Sequence, residues 1–160
     1  MPYIPGMGTE IERKFLVAGD GWRAAATEPG VLLRQGYLHT GTPVVRVRQA
    51  GEAGFLTIKG PGLLSRAEYE YPIPAAEAAE LLRSLCPPPI IEKTRTRVRH
   101  EGLVWEVDEF AGHLAGLVLA EVELPSADAA FARPDWLGRE VTEDPRYQNA
   151  SLSRAGAPPA

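Results

Sequence analysis

Cysteine is nearly missing from this 160-residue chain, where Cys86 stands alone. A single thiol excludes an internal disulfide and any CxxC metal or redox pair, so a reduced, cytoplasmic setting is expected, with Cys86 buried and inert. No stretch approaches the ~20 apolar residues of a membrane helix, so no membrane partner is expected. The opening "MPYIPGMG" has neither the basic start nor the apolar run of a secretory leader. The net charge of −4, without a basic run interleaved with aromatics, gives no expectation of nucleic-acid binding. His39, His100 and His113 lie far apart without ligand spacing and are expected at the surface or in turns. There is no GxxxxGK[ST] phosphate loop and no GxSxG nucleophile elbow, and "GPGLLS" is not a dinucleotide fingerprint. Lysine is the remaining scarcity: Lys14, Lys59 and Lys93 are 3 of 17 basic residues. Each sits at one end of a strand-like run, in phase with other charges. Lysine is a compact, strongly hydrated point charge suited to phosphate, which makes all three candidates.

What is present predicts a single domain over 1–154 and a disordered tail over 155–160. Eight segments read as strands, roughly 9–17, 31–39, 43–50, 54–59, 66–73, 90–99, 103–109 and 117–124. "QAGEAG" and "HEG" read as hairpin turns whose glycines permit positive φ. Pro74 to Leu85 predicts a helix, with Leu81, Leu82 and Leu85 at helical spacing and the prolines from Pro87 ending it. Shorter helices are predicted near Asp20 to Thr27 and Ala127 to Arg133. Gly60 to Arg66 reads as a loop with two exposed leucines, a candidate lid. The expected fold is mainly β, an α+β protein built on a closed or sandwiched antiparallel sheet with a few helices packed outside.

The strands share one pattern. Glu10, Glu12 and Lys14 occupy one face of the first strand, about 7 Å apart, and Ile11, Arg13, Phe15 and Val17 the other. Arg46 and Arg48, Lys59, Glu68 and Glu70, Lys93 to Arg99, Glu106 and Asp108, and Glu121 and Glu123 repeat the alternation. One solvated sheet face would also produce it. Two things weigh against that: the signs are blocked by strand, and like charges two apart repel. In a closed eight-stranded barrel the charged faces would all meet in the lumen. Such a lumen needs counter-ions, divalent cations for the acids and a polyanion for the bases. Trp105 and Tyr69 fall on the apolar phase and read as packing.

These residues resemble the CYTH superfamily, the triphosphate tunnel metalloenzymes. "EIERK" matches the family's ExExK, and "VRVR", "TIKG", "EYEYPIP", "IEKTR", "WEVDEF", "AEVEL" and "WLGREVTEDPRYQNASL" follow in the family's order across nearly the whole chain. The resemblance implies an eight-stranded antiparallel tunnel and, among short bacterial members, hydrolysis of inorganic triphosphate with one or two Mg²⁺ or Mn²⁺ ions. It implies that Glu10 and Glu12 bind metal and that Lys14 faces phosphate, the three forming the catalytic motif. Arg46, Arg48, Lys59, Lys93 and Arg95 fall on phosphate-binding positions, and Asp108, Glu121 and Glu123 on the later acidic ones. Glu12 and Glu123, helped by Glu121 or Asp108, would hold one ion. Glu10 would hold a second and is the first candidate general base. Glu68, Glu70, Arg97, Arg99 and Glu106 share the phase with less firm matches. Nucleoside or thiamine triphosphatases and class IV adenylyl cyclases use the same fold, although the cyclases' His-Phe pair upstream of ExExK has no counterpart in "YIPGMG". A polyphosphate-binding module without turnover stays open as a reading of another class.

Overall fold

The computed structural model describes residues 8–160, so Tyr3 to Met7 lie outside the described residues. Its elements are β1 (Glu10–Val17), α1 (Gly21–Ala25), β2 (Val31–His39), β3 (Val44–Ala50), β4 (Ala53–Lys59), β5 (Ser65–Arg66), β6 (Glu68–Ile73), α2 (Ala75–Ser84), β7 (Ile91–His100), β8 (Leu103–Phe110), β9 (Val118–Glu123), β10 (Leu137–Glu140) and α3 (Asn149–Arg154). The sheet is antiparallel, in the order β10-β1-β9-β8-β7-β2-β3-β4-β6.

The predicted strand over 66–73 is two strands, because the chain changes partner at Ala67. β6 pairs with β4, whereas β5 pairs with β1 through Glu10↔Arg66 and Ile11↔Ser65. The Glu12 N–H bonds to the Leu64 carbonyl at 3.0 Å and the Glu68 N–H to the Gly8 carbonyl at 3.3 Å. The wall thereby runs back to its starting strand. β10, which the sequence pattern did not predict, takes the remaining edge of β1 through Phe15↔Glu140 and Val17↔Leu137.

Side chains alternate across each wall strand, and the apolar outward face carries two packed layers. Phe15, Trp105, Val107 and Val122 form one with Trp22 and Trp136. The segment 127–133 contributes Phe131 to this layer and is not helical. Phe131 instead packs edge-on against Phe15, with ring centroids 6.1 Å apart, and this packing holds the segment out of a helix. The second layer is α2 laid across β2–β4. Ala78 and Leu82 are buried there with Val47 and Cys86. Leu85 is 63% exposed, because the helix ends just before it. Gly36 allows the approach: a Cβ on it would lie 2.7 Å from the Cys86 Cβ. Gly54 acts likewise against Ala78, and of the three glycines in the predicted hairpin turns Gly51 and Gly102 adopt positive φ, at +57° and +81°.

The inward face is charged along most of the barrel but turns apolar at one end. Tyr37, Ile91, Phe110 and Leu119 meet Tyr147 and Leu152 there, so α3 and the turn before it plug the lumen. Trp105 is fully buried as expected, but Tyr69 is 47% exposed on the outer face of β6, where no packed layer of the described residues covers it. Leu63 is exposed and lines the cavity mouth, whereas Leu64 is half-buried and pinned by its bond to β1. Residues 155–160 follow α3 without helix or strand. Among the described residues no helix is long and apolar enough to cross a membrane.

Candidate active site in the barrel lumen

A cavity of about 760 Å³ occupies the lumen. Glu10, Glu12, Lys14, Arg46, Arg48, Lys59, Arg95, Glu121 and Glu123 line it, from five wall strands. Lys93 and Asp108 do not. They face the same way but one layer deeper, fully buried against the apolar plug. All three lysines of the chain are buried.

At that deep layer every charge has a partner of opposite sign. Arg95 donates from Nε and Nη2 to Asp108 at 2.7 and 2.8 Å, and Lys93 Nζ lies 2.7 Å from Asp108 Oδ2. Both Asp108 oxygens are thus occupied by cations. Burial would raise its pKa, but Arg95 and Lys93 hold it below the usual carboxylate range. Burial lowers Lys93 to about 7, against the pull of Asp108. Near the mouth Lys59 lies 3.0 Å from both Glu10 and Glu68, and Arg66 lies 3.3 Å from Glu10. Despite burial these cations hold Glu10 down to about 2. Glu68 and Glu70 balance the basic wall, the latter 3.4 Å from Arg46. Lys14 donates to the Tyr147 carbonyl at 3.0 Å and lies 3.5 Å from Glu121.

The middle of the lumen is not matched. Glu12 and Glu123 stand opposite each other in the β1–β9 register, and neither has an ion-pair partner among the described residues. Burial, then Glu121 and Glu10, push the Glu12 carboxyl well above its usual range. Burial, then Glu10, Glu68 and Glu106, raise Glu123. On the basic wall Arg48 has no carboxylate partner among the described residues. Burial and the charges of Arg46 and Arg95 lower it to about 9. Arg46 Nε is buried with no hydrogen-bond partner.

The oxygen donors here suit hard divalent cations in general. Among the described residues no three carboxyl, imidazole or thiol groups form a ready cage. Mg²⁺ and Mn²⁺ need no such cage, since they keep waters and share phosphate oxygens beside one or two carboxylates. Two opposed carboxylates lacking a counter-charge supply that pair.

Sequence reasoning missed two residues of the site's support. Gln35, fully buried on β2, accepts from Arg48 Nε at 2.9 Å. Asn149, at the start of α3, accepts from Lys93 at 2.9 Å and from Gln35 at 3.1 Å. Gln35 had a signal, as the one polar residue in phase with Leu33 and Tyr37. Asn149 had none, because the short α3 carries no readable period.

An antiparallel barrel that sets opposed carboxylates, and a guanidinium with no carboxylate partner among the described residues, around one cavity defines a class of protein for handling polyanions together with cations. Within it, this chain belongs to the CYTH domain family, whose model matches residues 8–156. It is 53% identical over 148 residues to an inorganic triphosphatase of Acetivibrio thermocellus, covering 91% of this chain and 94% of that one. It is 48% identical over 152 residues to an inorganic triphosphatase of Nitrosomonas europaea, covering 91% and 97%. A crystal structure of an inorganic triphosphatase superposes with a TM-score of 0.67 at 42% identity, over 93% of this chain and 97% of that one. A Bacillus halodurans protein, 20% identical with a TM-score of 0.59 over 76% and 84% of the two chains, shares the fold alone.

Proposed function

We propose that this chain hydrolyses inorganic triphosphate to pyrophosphate and phosphate in the barrel lumen, with Glu12 and Glu123 holding Mg²⁺ or Mn²⁺. One observation carries the residue assignment: among the described residues Glu12, Glu123 and Arg48 line the cavity without an ion-pair partner, whereas Glu10, Lys14, Arg46, Lys59, Arg95 and Glu121 each have one. The inorganic triphosphatases that share about half of this sequence support the substrate.

When bound, a divalent ion supplies charge neutralisation on the phosphate oxygens and lowers the pKa of a coordinated water. Lys14, Lys59, Arg46 and Arg48 bind the chain of phosphates and hold it in line. Water adds to a terminal phosphorus, the anhydride P–O bond breaks, and its electron pair leaves on pyrophosphate. The same cations stabilise the charge developing there. Glu10, held near 2 by Lys59 and Arg66, is a poor proton acceptor near neutrality and is assigned to positioning those cations. Glu121, held low against burial by Lys14 and Arg95, contributes negative potential beside Glu12. Asp108 and Lys93 anchor Arg95 from below.

Phosphate release measured on triphosphate, pyrophosphate, long polyphosphate, ATP and thiamine triphosphate with Mg²⁺ and Mn²⁺ tests this reading. Triphosphate is expected to be turned over fastest, with activity abolished in excess EDTA. Turnover that persists in EDTA, or binding of triphosphate without turnover, contradicts it.

A further inference from the structure

The wall of the lumen contains a buried hydrogen-bond chain that ends in two donors, Arg48 and the charged form of Lys93. Lys93 Nζ, charged beside Asp108, has no acceptor, so Asn149 turns its Oδ1 toward it, at 2.9 Å. That oxygen also accepts from Gln35 Nε2 at 3.1 Å, and Gln35 Nε2 reaches the Tyr37 hydroxyl at 3.2 Å. The Gln35 amide is thereby held with Oε1 toward Arg48, another obligate donor, whose Nε lies 2.9 Å away. No other amide orientation satisfies all these groups, and Gln35 is wholly buried. Arg48 has no other hydrogen-bond partner among the described residues, so this one bond fixes the plane of its guanidinium.

We propose that Gln35 is a positioning residue for triphosphate binding, acting by orienting the Arg48 guanidinium toward the phosphates. This rests on Arg48 being a phosphate ligand, as proposed above. A guanidinium has five donors in a rigid plane, so its value to a phosphate depends on the angle of that plane. No other hydrogen bond among the described residues sets that angle for Arg48. Arg46, by comparison, is fixed by Thr57 at 3.0 Å and Glu70 at 3.4 Å.

The test is a double-mutant cycle on KM for triphosphate at saturating Mg²⁺, using Gln35→Met, Arg48→Ala and the pair. Gln35→Met keeps the volume and removes the acceptor. Its KM is expected to rise roughly tenfold or more, as for loss of a hydrogen bond to a charged group, with kcat changing far less. In the Arg48→Ala background the same substitution should change KM less than about twofold, because the group it orients is gone. If the effects of Gln35→Met and Arg48→Ala simply multiply, Gln35 acts elsewhere and the inference is overturned. An Arg48→Ala protein with unchanged KM and kcat overturns the phosphate role of Arg48 itself, and this inference with it. Asn149→Ala provides a second route should Gln35→Met not fold. It releases the Gln35 amide without touching Arg48, and its KM rise should likewise vanish with Arg48→Ala.

Discussion

The deep and middle layers of the lumen are built from the same residue types and do opposite things. Around Asp108 two cations satisfy one carboxylate, and a third polar residue, Asn149, completes the shell of Lys93. Around half-buried Glu12 and exposed Glu123, two carboxylates face one another with no ion-pair partner among the described residues. A buried charge with its partners in place is a structural element, whereas adjacent like charges on a cavity wall without one call for a ligand. The proposed division into residues that bind and residues that hold therefore follows charge balance within each layer, not residue type.

Breaking the matched layer should give the largest effect. Asp108→Ala strands Lys93 and removes the bidentate partner of Arg95, a cost of about 3–5 kcal/mol for a buried pair, read as a large fall in Tm. Breaking the unmatched layer should do the reverse, damaging activity while sparing the fold. Glu12→Gln is expected to lower kcat/KM on the order of a hundredfold with Tm unchanged or raised, because a repelled carboxylate has been removed.

Acid and base should separate the layers further. Glu10 falls from its ordinary 4.5 to about 2, so its stabilisation is complete above 4.5 and lost as pH drops toward 2. Glu12 is raised, so its contribution is present below 4.5 and lost as pH climbs through its elevated pKa. Lys93, lowered to about 7, contributes a slope of the opposite sign, which comparison with Glu12→Gln cancels. Chemical denaturation of the metal-free proteins across pH should show wild type losing ground to Glu12→Gln as pH rises. Mg²⁺ should remove that loss. The smallest effect belongs to the rim, where Arg97 is 66% exposed and 3.7 Å from Glu106. Arg97→Ala is expected to change kcat/KM by no more than about threefold, and less in high salt.

Much of this was legible in the sequence. Period-two alternation gave the facing of Glu10, Glu12, Lys14, Arg46, Arg48 and Lys59, because facing depends only on residue parity along a strand. Parity says nothing about depth along the barrel. Lys93 and Asp108 share the phase of Arg95 and Glu106, and only the register places them against the plug, out of the cavity. The expected helix over 127–133 failed for a related reason. Its alanines favour a helix locally, but tertiary packing of Phe131 against Phe15 and Trp105 overrides a weak propensity. β10 and α3 were unread because four and six residues are too few to establish a period.

The most direct test of the division between holding and binding layers is Mg²⁺ titrated against unfolding free energy at pH 8, in wild type and Glu12→Gln. At a hundred times its dissociation constant Mg²⁺ should add about 2.7 kcal/mol to wild type. Over the same concentrations Glu12→Gln should gain little. An equal gain in both proteins, or none in wild type, would contradict the assignment of the unmatched carboxylates to metal.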